Sequence, residues 1–150
     1  MSESSLSEAG VNLAKVVVEP YLAKSGIRAA LVGGSVGRGC ADEYSDLELG
    51  LFWDEMPSEV TRRDAIEMLG ATILAFDRDG SRGREHLEVR SAAGFSGTSM
   101  ISCIHGTVAD TEREIRAVLN DLDTSMERQA LLSALATGHP LHGASMLEDW

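Results

Sequence analysis

The spacing of apolar and polar residues predicts both helices and strands in the first half of the chain. Apolar positions recur at helical spacing over 7–24, where Pro20 is an expected kink or break. The apolar run 27–32 and the partly alternating run 46–53 have the length and pattern of strands. A helix over 58–70 begins at a serine and ends at a glycine, the residue types that cap helices. We therefore expect the order helix, strand, strand, helix.

The second half of the chain also has apolar residues at both helical and strand spacing. Its predicted elements are strands over 71–76, 85–90 and 98–105, the last two paired as a hairpin, and helices from 110 or 111, over 125–136 and from 145. No internal repeat or flexible linker divides the chain. We expect one α/β fold of the α+β kind, with a main domain over 1–124 and a C-terminal helical segment over 125–150. The last helical pattern stops abruptly at Trp150, which suggests the truncated start of a helical domain.

Composition narrows the classes of partner. The 150 residues are 43% hydrophobic, which is enough for a packed core, and the formal net charge is -11. Nucleic acids and anionic membranes normally meet a basic surface, so neither is an expected partner of so acidic a chain. The two cysteines, Cys40 and Cys103, have no spacing typical of a zinc site or a disulfide framework. With no apolar run long enough to span a membrane, the predicted location is the cytoplasm.

The candidate chemistry lies between the first two strands. Gly33, Gly34 and Ser35 follow the first strand as a tight turn, whose free backbone amides and hydroxyl can hold phosphate oxygens. Asp46 and Glu48 lie two positions apart on the second strand, so their carboxylates share one face. Hard oxygen ligands of this kind suit Mg²⁺ bound together with the phosphates of a nucleoside triphosphate. No Gly-Lys-Ser/Thr completes a P-loop, and the glycine spacing does not fit the dinucleotide fingerprint GxGxxG.

Together the Gly-Gly-Ser turn and the Ser-Asp-x-Glu strand resemble the signature of the DNA polymerase beta-like nucleotidyltransferases. The resemblance is closest to bacterial minimal and small-molecule nucleotidyltransferases, including relatives of antibiotic adenylyltransferases. It implies a nucleotidyltransferase fold, with a small mixed sheet flanked by helices. It also implies that Gly33, Gly34 and Ser35 contact phosphates, whereas Asp46 and Glu48 ligate two Mg²⁺ ions.

A third acid is expected on a later strand, and the sequence leaves its identity open. Ser102 occupies the position before the next helix where the resemblance leads one to seek the acid, and it cannot act as a carboxylate. Glu88 is the available substitute as catalytic residue and metal ligand, but its alternation with apolar neighbours equally fits an ordinary solvated strand face. Arg38 could neutralise the leaving pyrophosphate or simply pair with acids on the surface. His105 fits a structural histidine better than a general base.

The leading hypothesis is magnesium-dependent transfer of a nucleoside monophosphate from a nucleoside triphosphate to a hydroxyl of a small molecule. The alternative is a degenerate, catalytically weak nucleotide-binding or interaction module of the same fold. If the third acid is absent, two acids remain, and one Mg²⁺ ion is expected instead of two. A toxin–antitoxin type enzyme that modifies a protein or an RNA would use the same site. A homodimer could complete the cleft, and neither the base of the nucleotide nor the acceptor follows from the sequence.

Overall fold

The computed structural model of the chain describes residues 2–77, 83–90 and 97–150. Within these residues the chain forms six helices and six strands. The helices are α1 (Glu3–Leu22), α2 (Gly34–Gly37), α3 (Glu59–Leu69), α4 (Val108–Asp121), α5 (Met126–Thr137) and α6 (Ala144–Asp149). The strands are β1 (Ile27–Val32), β2 (Leu47–Trp53), β3 (Thr72–Phe76), β4 (Arg84–Arg90), β5 (Thr98–Thr107) and β6 (His139–His142). None of the described helices is long and apolar enough to cross a membrane.

The six strands form one mixed sheet in the order β3-β4-β5-β2-β1-β6. β2 and β5 are parallel, and the other neighbouring pairs are antiparallel. The predicted hairpin of β4 and β5 is present, although its connection over 91–96 lies outside the described residues. Residues 78–82, between β3 and β4, also lie outside the described residues. The mixed sheet flanked by helices confirms the expected fold class.

The two faces of the sheet have different surroundings. On the core face, alternate residues of β2 such as Leu47, Leu49 and Leu51 are buried in the main hydrophobic core, which also takes side chains from α1 and α3. On the opposite face, here called the cleft face, Phe52 belongs to a smaller cluster with residues of β1, α5 and α6. Because successive strand residues point to opposite faces, Glu48 lies on the cleft face with Phe52.

Local signals explain the boundaries of three helices. The Ser58 hydroxyl accepts the N–H of Thr61, and Gly70 ends α3 in the left-handed conformation at φ 71°, as the sequence predicts. α1 begins earlier than expected because Ser2 caps it, and the helix continues through Pro20 to its end. α4 also begins earlier than the predicted Asp110 or Thr111, because Thr107 acts as the N-cap.

Strand β6 is not among the elements that the sequence pattern predicts. It pairs with β1 at one edge of the sheet, where Leu31 faces Pro140. A proline lacks the N–H that an interior strand needs, so it is tolerated at an edge. At the end of β6, Gly143 has φ 64°, and a Cβ there would lie 2.2 Å from the carbonyl oxygen of Arg28. The segment 125–150 therefore contains an edge strand as well as helices.

Candidate active site

The glycine turn and one of the predicted acids are in direct contact. The N–H of Gly33 donates to the carbonyl oxygen of Glu48 at 2.9 Å. Gly34 has φ 60°, and a Cβ on it would lie 2.8 Å from the carboxylate oxygen Oε2 of Glu48. A larger residue at position 34 would therefore be strained in its backbone and would displace the Glu48 carboxylate. The fold thus brings the predicted phosphate turn against the predicted metal ligand.

Ser35 and Arg38 belong to the short helix α2 and to its end. Ser35 is half-buried in α2, and its carbonyl oxygen accepts the N–H of Cys40 at 2.9 Å. Arg38 is the C-cap residue of α2 and is exposed. In the described part of the chain Arg38 makes no ion pair, so neither Asp42 nor Glu43 holds its side chain.

Asp46 is positioned by an ordered loop that leads into β2. The Asp42 carboxylate accepts the hydroxyl of Ser45 at 2.8 Å and the N–H of Tyr44 at 3.0 Å. These two hydrogen bonds hold the pKa of Asp42 below its usual value. Asp46 follows this turn directly and is exposed, as is Glu48. Among the described residues neither Asp46 nor Glu48 has a hydrogen-bonded or ion-paired side-chain partner, which leaves both carboxylates available to a cation.

The strand register places Ser102 beside Glu48. β2 and β5 are parallel with Glu48 opposite Ser102, and β4 and β5 are antiparallel with His86 opposite Ser102. Residues opposite one another in register share a sheet face, so all three side chains belong to the cleft face. The Ser102 Oγ and the His86 Nδ1 are 2.8 Å apart and hydrogen-bonded. The sequence pattern gives His86 no particular role, because only the register brings it to Ser102.

Glu88 lies on the same face of β4 but further from Glu48. Its register partner on β5 is Met100, and its carboxylate accepts the Nε of Arg90 at 2.6 Å. Considering only the described residues, no three histidine, cysteine or acidic side chains are grouped closely enough to hold a metal ion. Asp46, Glu48 and Glu88 thus do not form a ready-made triad, and the assignment of Glu88 as the third metal ligand stays a prediction.

A cleft of about 350 Å³ opens beside Glu48 on this face. Its floor contains Gly50, Phe52 and Ile104 of β2 and β5, and its sides come from α4 and α5. Arg84, on the cleft face of β4, also lines the cleft, although the sequence pattern does not single it out. An apolar floor with a few charged groups at the rim is typical of small-ligand sites.

The core face has a different polar cluster, centred on the fully buried carboxylate of Glu85. One oxygen of Glu85 accepts the Tyr21 hydroxyl at 3.0 Å and lies 2.6 Å from the Nε2 of His105, and the other accepts Arg62 at 3.0 Å. The indole N–H of Trp53 donates to the Nδ1 of His105 at 3.0 Å, so the histidine carries its proton on Nε2. His105 is therefore a buried structural residue, as expected.

Burial also governs two other groups near Glu85. Desolvation, with the nearby Cys103 and Glu85 as further causes, raises the pKa of the Tyr21 hydroxyl well above its usual value. Desolvation followed by the charge of Glu85 raises the pKa of the Cys103 thiol in the same direction. Both groups are thus kept in their neutral forms inside the core.

Comparison with known proteins decides the fold. No protein-family model and no curated protein matches the sequence. Solved structures do match, including the crystal structure of the Cid1 poly(U) polymerase, with a TM-score of 0.52 and 15% identity over 90% of this chain. The chain has the nucleotidyltransferase fold. The complex of Cid1 with its short product ApU matches with the same TM-score and 15% identity over 86% of this chain.

The nucleotidyltransferase fold is what the Gly-Gly-Ser turn and the acidic strand predict. The chain spans about two-fifths of the Cid1 chains it matches, 41% and 40% of their lengths. At this level of identity the likeness concerns the fold, and the functional roles rest on the site itself. The resemblance to bacterial small-molecule enzymes stays a prediction.

Proposed function

We propose that the chain is a magnesium-dependent nucleotidyltransferase that transfers a nucleoside monophosphate from a nucleoside triphosphate to the hydroxyl of a small molecule. The observation that carries this proposal is the closeness of the Glu48 carboxylate to the turn, where a Cβ on Gly34 would lie 2.8 Å from its Oε2. A phosphate site and a metal site must adjoin in this chemistry, because the same cation contacts both the protein and the phosphates.

The proposed residues have two roles, binding of the phosphates and binding of the metal ion. Gly33, Gly34 and Ser35 would hold the phosphates, and Arg38 would face the leaving pyrophosphate. Asp46 and Glu48 fit Mg²⁺, since both are exposed carboxylates without a cationic partner in the described structure. When bound, Mg²⁺ neutralises the charge that develops on the attacking and leaving oxygens.

A small acceptor is favoured by the size and charge of the protein. The cleft of about 350 Å³ is near the lower end of the range for small-ligand sites, which is roughly 300–1,000 Å³. A net charge of -11 repels a long polyanion, whereas a nucleotide is accommodated through the bound cation. The Cid1 structures that share the fold belong to a poly(U) polymerase, so a short RNA is included among the acceptors to be tested.

The second candidate is a module of the same fold that binds nucleotide without transferring it. Ser102 favours this candidate, because it stands beside Glu48 in the register where a third acid is expected. Two carboxylates hold a cation more weakly than three, which lowers turnover before it abolishes binding. The candidates therefore differ in whether pyrophosphate is released.

The test is a calorimetric titration of the protein with ATP, CTP, GTP and UTP, each with MgCl₂. We expect at least one nucleotide to bind the wild type and to lose binding in Asp46→Asn/Glu48→Gln. Glu55→Gln/Glu67→Gln is the matched control, because it removes the same formal charge from exposed positions outside β2 and the segment that leads into it.

A second measurement separates the two candidates. Pyrophosphate release is followed with a panel of hydroxyl-bearing small molecules and a short RNA. Catalytic release with a small molecule supports the transferase, and release with RNA alone would correct its acceptor. Binding without release across the panel would favour the module, whereas no binding of any nucleotide would overturn the assignment of the site.

A further inference from the structure

A serine and a histidine are hydrogen-bonded on the cleft face, directly beside Glu48. Ser102 Oγ and His86 Nδ1 are 2.8 Å apart, and both residues are half-buried. In the described part of the chain the Ser102 hydroxyl has no other hydrogen-bond partner. In the tautomer whose proton is on Nε2, His86 Nδ1 accepts the Ser102 hydroxyl. This is the arrangement that prepares serine as a nucleophile, with the histidine as its base.

The location of the pair relates it to the proposed reaction. Ser102 is the register partner of Glu48 on the neighbouring strand, and adjacent strands are about 4.8 Å apart. A nucleotide held through Glu48 therefore has the Ser102 hydroxyl as its neighbour on the sheet. Where the resemblance leads one to expect a metal-binding carboxylate, the chain has a hydroxyl with a base attached.

We propose that Ser102 is itself an acceptor, so that the protein transfers a nucleoside monophosphate to its own side chain. In this step a bond forms between Ser102 Oγ and the α-phosphorus, and the bond from that phosphorus to the oxygen of the β-phosphate breaks. Pyrophosphate leaves with the bonding electron pair, and the hydroxyl proton passes to His86 Nδ1. The product is a phosphodiester between the serine and the nucleoside, formed once per chain.

The inference rests on the proposed function, and its experiment is designed to separate the two. The purified chain is incubated with ATP, CTP, GTP and UTP in turn, each with MgCl₂ and without an added acceptor. Intact-mass spectrometry measures the addition, and a pyrophosphate assay measures the release. We expect one nucleoside monophosphate per chain and one equivalent of pyrophosphate with the nucleotide that binds in calorimetry.

The modified residue is identified by digesting the wild-type protein after its reaction with nucleotide. Trypsin cuts after Arg90 and Arg113, so one peptide carries Ser102, and fragmentation distinguishes it from the other serines of that peptide. An adduct on Ser102 supports the proposal. An adduct on any other residue, including Ser35 at the phosphate turn, overturns it. This reading does not depend on whether a variant folds.

Variants then test the role of each partner. Ser102→Ala should abolish the adduct, whereas Ser99→Ala, on the same strand but on its other face, should leave it unchanged. His86→Gln should slow adduct formation by about 10²–10⁴-fold, the range for loss of a general base, while the modified residue stays Ser102. An unchanged rate in His86→Gln would overturn the role of the histidine.

Failure of the two proposals gives different results. Nucleotide binding that depends on Asp46 and Glu48 but leaves the mass of the chain unchanged would overturn self-modification and leave the proposed function standing. Absence of nucleotide binding would overturn both.

Discussion

The two faces of the sheet each carry a glutamate, and the two carboxylates differ in burial and in hydrogen bonding. On the core face Glu85 is fully buried and receives donors from tyrosine, arginine and histidine side chains. On the cleft face Glu48 is exposed and, among the described residues, has no side-chain donor. A buried charge is tolerated only when its partners are complete, whereas an exposed charge needs none. The core acid therefore supports the fold, and the cleft acid is available to a ligand.

The largest expected effect is the loss of the core acid. Glu85→Ala removes the partner of Arg62, whose side chain is only 4% exposed, and leaves that charge uncompensated in the core. Breaking a buried pair in this way costs about 3–5 kcal/mol, so the free energy of unfolding in urea should fall by that amount.

Glu88→Ala is the matched control on the same strand. Its ion pair with Arg90 lies on the other face and is partly exposed, so the loss should be only about 0–1 kcal/mol. Equal losses in Glu85→Ala and Glu88→Ala would contradict the distinction between the two faces.

The second effect is a dependence of stability on alkaline pH. Burial raises the pKa of Tyr21 in the folded chain. In the unfolded chain the same hydroxyl ionises at a pH of about 10, whereas in the folded chain it stays neutral there. The contribution of Tyr21 to the free energy of unfolding is thus complete below a pH of about 10. It is lost as the pH rises further, by about 1.4 kcal/mol per pH unit. The raised pKa of Cys103 also lowers the free energy of unfolding as the pH rises. This loss begins at a lower pH, because a thiol in the unfolded chain ionises before a tyrosine.

Tyr21→Phe identifies the tyrosine part of this dependence. Urea unfolding between pH 9 and pH 11 should have a smaller slope in this variant than in the wild type. Tyr44→Phe is the control, because that side chain is 84% exposed and should keep the wild-type slope. A wild-type slope in Tyr21→Phe would mean that Tyr21 does not carry the alkaline loss.

Sequence predicts local features better than features that depend on residues far apart in the chain, because a pattern reports only on its neighbours in sequence. β1 and α3 match their predicted bounds because glycine and serine mark their ends locally. The candidate turn and the acids of the following strand are also predicted from one short motif. By contrast, the burial of Glu85 depends on Tyr21, 64 residues away along the chain. Its neighbour His86 meets Ser102 only through the register of β4 with β5.

The edge strand β6 illustrates the same limit. Four residues that include a proline do not predict a strand locally, and only the free edge of β1 makes them one. The periodicity of apolar residues does not predict which distant parts of the chain will pair with a segment. The motif at the cleft is local, which is why the candidate phosphate turn and first two acids could be predicted and the surroundings of Ser102 could not.

The third effect compares two glycines that both have positive φ. Gly34→Ala and Gly39→Ala each place a side chain in the left-handed region, which costs about 1 kcal/mol in the free energy of unfolding. Position 39 has nothing within 4 Å, whereas a Cβ at position 34 meets the Glu48 carboxylate. Gly34→Ala should therefore weaken magnesium-dependent nucleotide binding, and Gly39→Ala should not. Equal binding by the two variants would contradict a site that depends on the contact.

The smallest expected effect on stability accompanies the largest on binding. Glu48→Gln replaces an exposed carboxylate by a neutral amide of similar shape, so the free energy of unfolding should change by no more than about 0.5 kcal/mol. The same variant should lose magnesium-dependent nucleotide binding, measured by calorimetry on the same preparation. A clear loss of stability together with retained binding would place Glu48 with Glu85 among the structural acids.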